Sequence, residues 1–402
     1  MNCATASDSG LIEGLSSHIS LRGFVRQRIS VNMEDPVETG KDDQFDLSMV
    51  RSTLYLQANF RFEQVSITTI SRFDWEYLTG YLRRLDRLST RNFGGAYDDY
   101  DLREYYADMH LFDDRLFLRI GKQQVVWGKT DFFRGLDVIH GFDYRWRSFL
   151  EPENELVRKP LILINAEVQV PEFNGGLQLV VRPGLDRKKD IGNTYDAFGG
   201  RWANQPGKGT DSLGSMKYNL EHSEGDRDDW TYGFRWSGHA RGMEYSVNYL
   251  RTFNNDPVVN ASSGIGARTY HGEPDNGFAE FIYPQVTLAG FTLNYYLPGI
   301  DTLVRCEVSY TWDQPYNFGR SFNNGSLPGF AGIIEKDTVR TMMAFDKNID
   351  WVKTWLGACR PGFLNVQLFD TWLVDYEKHD DIVAAAGYGA RIHRHNTTLT
   401  TV

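Results

Sequence analysis

The chain has 402 residues, a formal net charge of −10 and 14% aromatic residues, and its mean hydropathy is −0.45. The acidic balance argues against nucleic-acid binding, which requires a basic stripe on the protein. No run of about 18 apolar residues occurs, which excludes a membrane-spanning helix but not strands that cross a membrane.

The cysteines and the start of the chain give no sign of disulfides, of a cysteine metal site or of a secretory signal. Cys3, Cys306 and Cys359 are scattered, so neither a disulfide framework nor a paired-cysteine metal site is predicted. Residues 1–17 lack a basic region followed by an apolar one, so we expect an N-terminal periplasmic segment without a secretory signal. Either the signal has been removed or the sequence begins inside a longer precursor.

Alternation of apolar and polar residues is the main structural signal, and it is clearest in the third predicted strand. One face of that strand carries Val65, Ile67, Thr69, Phe73, Trp75 and Tyr77, and the other carries Ser66, Thr68, Arg72, Asp74 and Glu76. Since successive side chains of a strand point to opposite faces, the two faces meet two different solvents. Repeated around a closed sheet, this pattern predicts a barrel with lipid outside and water inside.

In chain order, about fourteen strands are predicted, and their connections alternate between short and long. The predicted strands are 18–32, 51–62, 65–77, 102–112, 115–121, 161–170, 176–182, 230–238, 243–253, 284–297, 302–312, 338–346, 363–374 and 392–402. The long connections are 78–101, 183–229, 254–283 and 313–337.

Short periplasmic turns and long extracellular loops are typical of bacterial outer-membrane barrels. We therefore predict an all-β, antiparallel transmembrane β-barrel over residues 18–402, with 16 or more strands if the protein is longer. The connection 347–362 is predicted to be periplasmic, with Trp351, Val352 and Trp355 on a short interfacial helix.

Residues 122–160 break the strand rhythm and are predicted to fold into the lumen, where backbone groups find the partners that lipid lacks. The side chains singled out here are Gln123, Trp127, Glu151, Glu153, Glu155 and Arg158. Two interpretations stay open. In one, Trp127 and Gly128 turn the chain at the barrel rim while Arg158 pairs with Glu153 or Glu155. In the other, the segment contacts cargo directly.

Two motifs in this region resemble a known family. The first is R-x-G-x-Q-x-x-x-W-G, carried by Arg119, Gly121, Gln123, Trp127 and Gly128, and the second is E-P-E-x-E-x-x-R-x-P at 151–160. Weaker matches lie at 305–307, 345–346 and 365–367. This pattern is similar to domain of unknown function 1302, a proteobacterial outer-membrane family.

The resemblance implies an outer-membrane barrel, often encoded near RND-type exporters and a second periplasmic protein. It also implies transport of a lipid-like cargo, and it implies no catalytic residue. The expected surroundings are outer-membrane lipid and lipopolysaccharide. Residues 397–402 are not the aromatic terminus expected for barrel insertion, so we expect a fragment that lacks the last strands.

Charged residues on the predicted lumenal face form a second candidate site, as pore-lining or selectivity residues. They are Arg22, Arg26, Arg28, Arg51, Arg61, Arg72, Asp74, Glu76, Glu104, Asp108, Arg119, Arg235, Glu244, Arg305 and Glu307. A basic wall that faces an acidic one would orient polar solutes by a transverse field. Alternatively, these charges form salt-bridge ladders that stiffen a wide barrel.

Enzymatic and metal chemistry find little support. The common hydrolase, zinc and nucleotide motifs are absent from the sequence. His393 and His395 share a predicted strand face, but two histidines without a third ligand are usually incidental. The acidic runs 98–101 and 226–229 lack the spacing of a calcium loop. No catalytic residue, metal or cofactor is therefore predicted.

The predicted function is an outer-membrane channel or export component for a small or lipid-like molecule, without a chemical step. One alternative is a general or anion-selective diffusion porin. Another is a barrel-embedded lipid or glycan hydrolase, and a third is a receptor barrel whose long acidic loops bind the ligand.

Overall fold

The structure is a computed structural model, and it describes residues 18–35, 39–88, 98–130, 134–142, 154–184, 217–218, 228–254, 258–261, 279–318, 332–357, 359–384 and 390–401. The predictions for residues 1–17, Glu151, Glu153 and Asp226 lie outside these ranges.

One antiparallel sheet dominates the described part of the chain. Its strands are β1 (Ile19–Val31), β2 (Leu47–Phe62), β3 (Val65–Glu76), β4 (Asp99–Leu111), β5 (Leu116–Gln123), β6 (Leu161–Val170), β7 (Gly175–Pro183), β8 (Trp230–Ala240), β9 (Met243–Phe253), β10 (Gln285–Leu297), β11 (Thr302–Phe318), β12 (Gly332–Ile349), β13 (Gly362–Leu373) and β14 (His395–Thr401).

Each of these strands pairs with the next one along the chain, from β1 to β14. The predicted all-β antiparallel fold with about fourteen strands is therefore confirmed. Within the described ranges, the sheet has two ends, because no pairing joins β1 to β14. No described helix is both long and apolar enough to span a membrane.

The two faces of the sheet differ as the alternation predicts. On β1, Leu21, Val25 and Ile29 are 64–77% exposed on the outer face. On β2 and β3, the charged Arg51 and Asp74 are fully buried on the inner face. Apolar side chains therefore face outward along a wall whose inner surface is polar, which is the pattern of a barrel in lipid.

The connections lie on two sides of the sheet. Those between β2 and β3, β4 and β5, β6 and β7, β8 and β9, β10 and β11, and β12 and β13 form the turn side, and the others form the loop side. The turn side carries a 3₁₀ helix (Pro171–Phe173) and the helix α3 (Asp350–Leu356). Trp351 and Trp355 of α3 are exposed, and their interfacial role stays a prediction.

The predicted loop 78–101 is wrong in two respects. Strand β4 begins at Asp99 rather than at 102, and the connection contains a helix, α1 (Gly80–Leu88). The Thr79 hydroxyl accepts a hydrogen bond from the N–H of Leu82 (3.2 Å), which caps the start of α1. Tyr81 and Leu82 are buried, and this packing holds the helix in place.

The predicted bounds of the loop 313–337 are also wrong, because β11 continues to Phe318 and β12 begins at Gly332. The register of this pair shifts between Thr311 and Gln314, where Asp313 has a φ of 45°. This β-bulge interrupts the alternation, so the sequence pattern ended the strand too early. Likewise, the predicted loops 183–229 and 254–283 contain a small three-stranded sheet of Lys217–Tyr218, Val258–Ala261 and Ala279–Ile282.

Beyond β13, the connection to β14 contains two short strands, Ile382–Ala384 and Ala390–Arg391, which pair with each other. The former also pairs with the end of β11. The predicted last strand is shorter than expected, because His393 precedes β14 and does not share a strand face with His395.

The glycine of the R-x-G motif has a backbone role. Gly121 has a φ of +136°, which L side chains rarely adopt, and a Cβ there would lie 2.3 Å from the carbonyl oxygen of Tyr105. Only glycine allows β4 and β5 to approach this closely at the end of the strand pair.

We expect Gly121→Ala to destabilise the sheet by at least about 1–3 kcal/mol, because backbone strain of this kind adds to the contact with Tyr105. The thermal unfolding midpoint of the detergent-solubilised protein measures the loss. Gly299→Ala is the matched control, since a Cβ at Gly299 meets no atom within 4 Å. Equal midpoints for the two variants would contradict the role assigned to Gly121.

Candidate functional site

The connection between β5 and β6 folds back against the inner face of the sheet. We call its described residues, 124–130, 134–142 and 154–160, the infolded segment; Lys122 and Gln123, also predicted to belong to it, end β5. Val125, Trp127, Leu136 and Ile139 of the segment are buried. They pack against inner-face side chains of β6, β7, β9 and β10. These side chains are Leu161, Leu163, Val180, Leu250 and Leu288.

Trp127 lies at the centre of this core and is fully buried. Its indole N–H donates to Oε1 of Gln178 (2.8 Å) on β7. Opposite the ring is Gly233, where a Cβ would lie 2.7 Å from the indole. The interpretation that Trp127 turns the chain at the rim is therefore wrong. In this conformation the buried ring packs the segment against the wall and offers no surface to a solute.

Glu307 of β11 holds the backbone of the infolded segment. Its Oε2 accepts a hydrogen bond from the N–H of Lys129 (2.6 Å), and its Oε1 accepts one from the N–H of Leu136 (2.7 Å). The residue is 1% exposed. Gly135 lies against the carboxylate, and a Cβ there would be 2.1 Å from Oε1. A buried charge is thus satisfied by two buried N–H groups that otherwise lack a partner in the sheet.

Three more of the predicted charged residues contact the segment from the same part of the wall. Arg305 donates to the carbonyl oxygen of Lys129 (2.6 Å), and Arg235 donates to that of Val126 (3.3 Å). Glu244 pairs with the side chain of Lys129 (3.0 Å). Strands β8, β9 and β11 therefore all bind the chain between Val126 and Lys129.

Strands β3 and β4 bind the other end of the segment, helix α2 (Asn154–Val157) and its neighbour. Arg72 donates to the carbonyl oxygen of Leu156 (3.2 Å). Arg103 donates to those of Glu155 (2.9 Å) and Arg158 (2.8 Å). Since β3 and β11 are eight strands apart in the sheet, the sheet must curve around the segment that both contact.

Arg103 is a functional residue that the sequence pattern missed. The register between β3 and β4 pairs Ile70 with Glu104 and Ser71 with Leu102, which leaves Arg103 as the extra residue of a β-bulge. A bulge lets two adjacent residues, Arg103 and Glu104, both turn inward. Both are buried, and the amide of Gln124 donates to Glu104 (2.8 Å).

The remaining predicted charges mostly pair across neighbouring strands. Arg51 pairs with Glu76 (2.7 Å), and Asp108 pairs with Arg119 (2.6 Å). Asp74 pairs with Arg72 and accepts from Thr53 (2.5 Å), and Arg305 pairs with Asp346. The inner face of β1 and β2 carries Arg22, Arg26, Arg28 and Arg61. Whether these charges line a permeation path stays a prediction.

Arg158 is not paired with Glu155, which is the one glutamate of its motif that the structure describes. It donates to Asp137 (2.5 Å) and to Oε1 of Gln124 (3.0 Å), while Glu155 is exposed. A bridge between Phe142 and Arg158 folds the segment back on itself and brings Asp137 close. The expected pairing of Arg158 with Glu155 is therefore wrong, and the alternative pairing with Glu153 lies outside the described residues.

His140, a residue that the sequence did not single out, fixes the same fold-back. Its Nε2 accepts from the N–H of Val125 (2.8 Å), so its Nδ1 carries the proton and donates to the carbonyl oxygen of Lys159 (2.9 Å). Burial, and next the Arg158 guanidinium, lower the pKa of His140 to about 3. The neutral ring thus joins the two ends of the segment.

Below the segment, on the turn side, lies a cavity of about 970 Å³. Gln124, Val125 and Val126 line it where the segment lies. Its walls are the inner faces of β5–β9, and its polar lining includes Arg119, Asn165, Glu167, Gln178, Arg235 and Ser237. Both signs of charge are present, which suits a polar solute better than an apolar one.

Metal ligation finds little support among the described residues. His395 pairs with Asp370 (2.9 Å), and His393 lies outside the strand. Asp98 accepts from the N–H of Glu76 (2.8 Å), and Asp101 pairs with Lys122 (3.2 Å). In the described ranges, the one group of three candidate ligands is Glu377, His379 and Asp380, and its Asp380 is already paired with Lys336 (2.8 Å).

An antiparallel meander with an apolar outer face, a charged inner face and a segment folded inside it defines a β-barrel protein of the bacterial outer membrane. The particular family follows from the sequence. The chain belongs to the family described as "Protein of unknown function (DUF1302)", whose profile matches residues 87–398. No curated protein sequence matches the chain significantly.

Solved structures with a similar course of the chain include OmpF of Salmonella typhi in complex with daunomycin, with 7% identity, 95% of this chain and 96% of that chain covered, and a TM-score of 0.40. OprB of Pseudomonas putida aligns with 10% identity over 90% of this chain and 77% of that chain, also at 0.40. Outer-membrane expressed OmpT of Vibrio cholerae has 9% identity, 95% and 96% coverage, and a TM-score of 0.37. The fold assignment itself rests on the strand topology.

We expect Glu307→Gln to loosen the infolded segment. The glutamine side chain has one acceptor oxygen, and its NH2 group would face the second backbone N–H that the carboxylate accepts. Loss of a hydrogen bond to a charged group costs about 1.5–3 kcal/mol, which corresponds to at least about tenfold faster hydrogen exchange at the amides of Lys129 and Leu136. Glu63→Gln, at an exposed turn, is the control. Unchanged exchange at both amides would show that Glu307 does not hold the segment.

The burial of His140 in its neutral form predicts that the stability of the protein depends on pH. Because its pKa in the folded protein lies below its ordinary value, the folded state binds fewer protons than the unfolded one. The stabilisation is complete above about pH 6.5 and falls by about 1.4 kcal/mol per pH unit as the pH drops towards 3.

The measurement is the thermal unfolding midpoint at pH 7.5 and at pH 4.5. The wild type should lose more between the two than His140→Gln, whose neutral amide can still accept and donate. His239→Gln, an exposed histidine near a turn, should behave as the wild type. Equal pH dependence in wild type and His140→Gln would disprove the role of the buried ring.

Proposed function

We propose that this protein is a passive outer-membrane channel through which small polar or amphipathic solutes cross without a chemical step. The cavity of about 970 Å³ carries this proposal, since it opens on the turn side and ends at the infolded segment. A wall of charged and amide side chains can replace part of the hydration of a polar solute. The infolded segment then narrows the path.

A diffusion porin is the form of this function that the lining favours. Arg235 and Glu167 lie in the same cavity, so the lining offers partners to either sign of charge. An apolar, lipid-like cargo is less well suited to such a wall, although the resemblance implies one.

An export role is the second proposal, and family membership supports it. In that case an RND-type exporter and a periplasmic protein would be the partners on the turn side, and outer-membrane lipid and lipopolysaccharide would surround the outer face. If the protein is part of an exporter, deletion of its gene should leave the cargo inside the cell. If it is a porin, deletion should slow the uptake of solutes.

A hydrolytic function is not proposed. Such an enzyme needs a base within reach of a nucleophile. The buried histidine of the site, His140, is bonded through both ring nitrogens to backbone atoms. It is therefore not oriented to accept a proton from a serine.

Planar-bilayer recording tests the channel. The reconstituted protein should give a steady, ohmic current, and its absence would contradict passive passage. Arg235→Gln should shift the reversal potential in a salt gradient towards cation selectivity, and Glu167→Gln should shift it the opposite way. Glu63→Gln, outside this cavity, should leave the potential unchanged. Shifts of the same sign for the first two variants would place the path elsewhere.

A further inference from the structure

A second, smaller cavity of about 140 Å³ lies on another side of the infolded segment. The segment contributes Thr130, Arg134 and Gly135 to it. The wall contributes side chains of β11–β14, among them Arg340, Met342, Phe369, Thr371 and Asn396. The cavity thus lies between the segment and the last strands of the sheet.

Its position is informative because two nearby residues of the segment are in tight contact with the wall. Trp127 lies against Gly233, and Leu136 lies so close to Gly290 that a Cβ there would be 2.3 Å from its side chain. Hydrogen bonds from β3, β4, β7, β8 and β11 hold the same segment. Open volume beside Thr130 and Gly135 is therefore a place where a solute can fit between segment and wall.

The lining places two guanidinium groups beside apolar surface. Met342 and Phe369 are buried and belong to one apolar cluster with Ala344. Arg340 is half-buried, and its hydrogen bond to the Thr311 hydroxyl is long (3.4 Å). The Arg134 guanidinium lies on the segment side, 4.7 Å from the centre of the Phe142 ring.

The carboxylates near the cavity are engaged with other groups. Both oxygens of Glu307 accept backbone N–H groups of the segment. Asp370 accepts from Thr397 (2.7 Å) and pairs with His395. Two guanidinium groups and two carboxylates therefore line the cavity beside an apolar wall, and the carboxylate oxygens are already hydrogen-bonded.

We propose that this cavity binds a small aromatic carboxylate, with the carboxylate on Arg340 and the ring against Met342 and Phe369. The volume is close to that of an apolar cavity of about 150 Å³ that holds one benzene molecule, so the cavity has room for a single ring and not for a larger aromatic system. A guanidinium binds a carboxylate through two parallel hydrogen bonds. If the proposed channel function holds, this cavity is a selective subsite along the path.

Isothermal titration of the detergent-solubilised protein tests the proposal with benzoate as the probe. Benzyl alcohol keeps the ring but lacks the charge, and acetate keeps the charge but lacks the ring. We expect both to bind at least tenfold more weakly than benzoate. Equal affinity for benzoate and either of the other compounds, or no benzoate binding, would overturn the proposal.

Variants locate the site. Arg340→Gln should weaken benzoate binding at least tenfold, and Met342→Trp should weaken it by filling the cavity while the charge remains. Arg61→Gln, which removes an inner-face arginine outside this cavity, should bind as the wild type. Unchanged binding in a folded Arg340→Gln variant would overturn the site. If that variant does not fold, the three-compound comparison on the wild type still decides.

The outcome is separable from that of the channel proposal. Ohmic current without benzoate binding would reject the subsite and keep the channel. Benzoate binding without current would keep the subsite and reject passive passage.

Discussion

The two hydrogen bonds from the infolded segment to the Glu307 carboxylate express the constraint on which the structure depends: backbone groups placed inside the sheet must find partners there. The segment has little regular structure of its own, so side chains of the wall supply the partners. Arg72, Arg103 and Arg305 bind its carbonyl oxygens, and Glu307 binds its N–H groups. Part of the charge on the inner face therefore holds a length of irregular backbone. The family motif contributes to the same region, since Gly121 lets β4 and β5 approach closely near the start of the segment and Trp127 packs the segment against the wall.

Much of the sheet could be predicted from sequence, because alternation depends only on which solvent each face meets. Strands β6 and β9 have the predicted bounds, 161–170 and 243–253. The pattern failed where the backbone departs from a regular strand. The bulge at Asp313 interrupted the alternation before residues 313–318 of β11. Helix α1 formed within a predicted loop because Tyr81 and Leu82 pack in a buried cluster. Such features depend on neighbouring strands, which a single segment of sequence does not reveal.

The site was predictable only in part for the same reason. The alternation along each strand correctly placed the side chains of Arg72, Glu244 and Glu307 on the inner face of the sheet. The alternation did not identify their partners, since Glu307 binds atoms 171 and 178 positions away along the chain. Arg103 was missed because a bulge turns its side chain inward, where regular alternation would point it outward. His140 was missed because nothing in its local sequence marks it as buried. The pairing of Arg158 with Asp137 was not predicted, because the fold-back that brings Asp137 near is a tertiary feature.

The distance in sequence between the infolded segment and Glu307 has a consequence for the cooperativity of folding. Strands β3 and β4 precede the segment, and their Arg72 and Arg103 bind its second half. The N–H groups of Lys129 and Leu136 find their acceptor on β11, which follows the segment. Neither the strands before the segment nor those after it can therefore satisfy its backbone alone, and its full hydrogen bonding requires both halves of the sheet to be in place together.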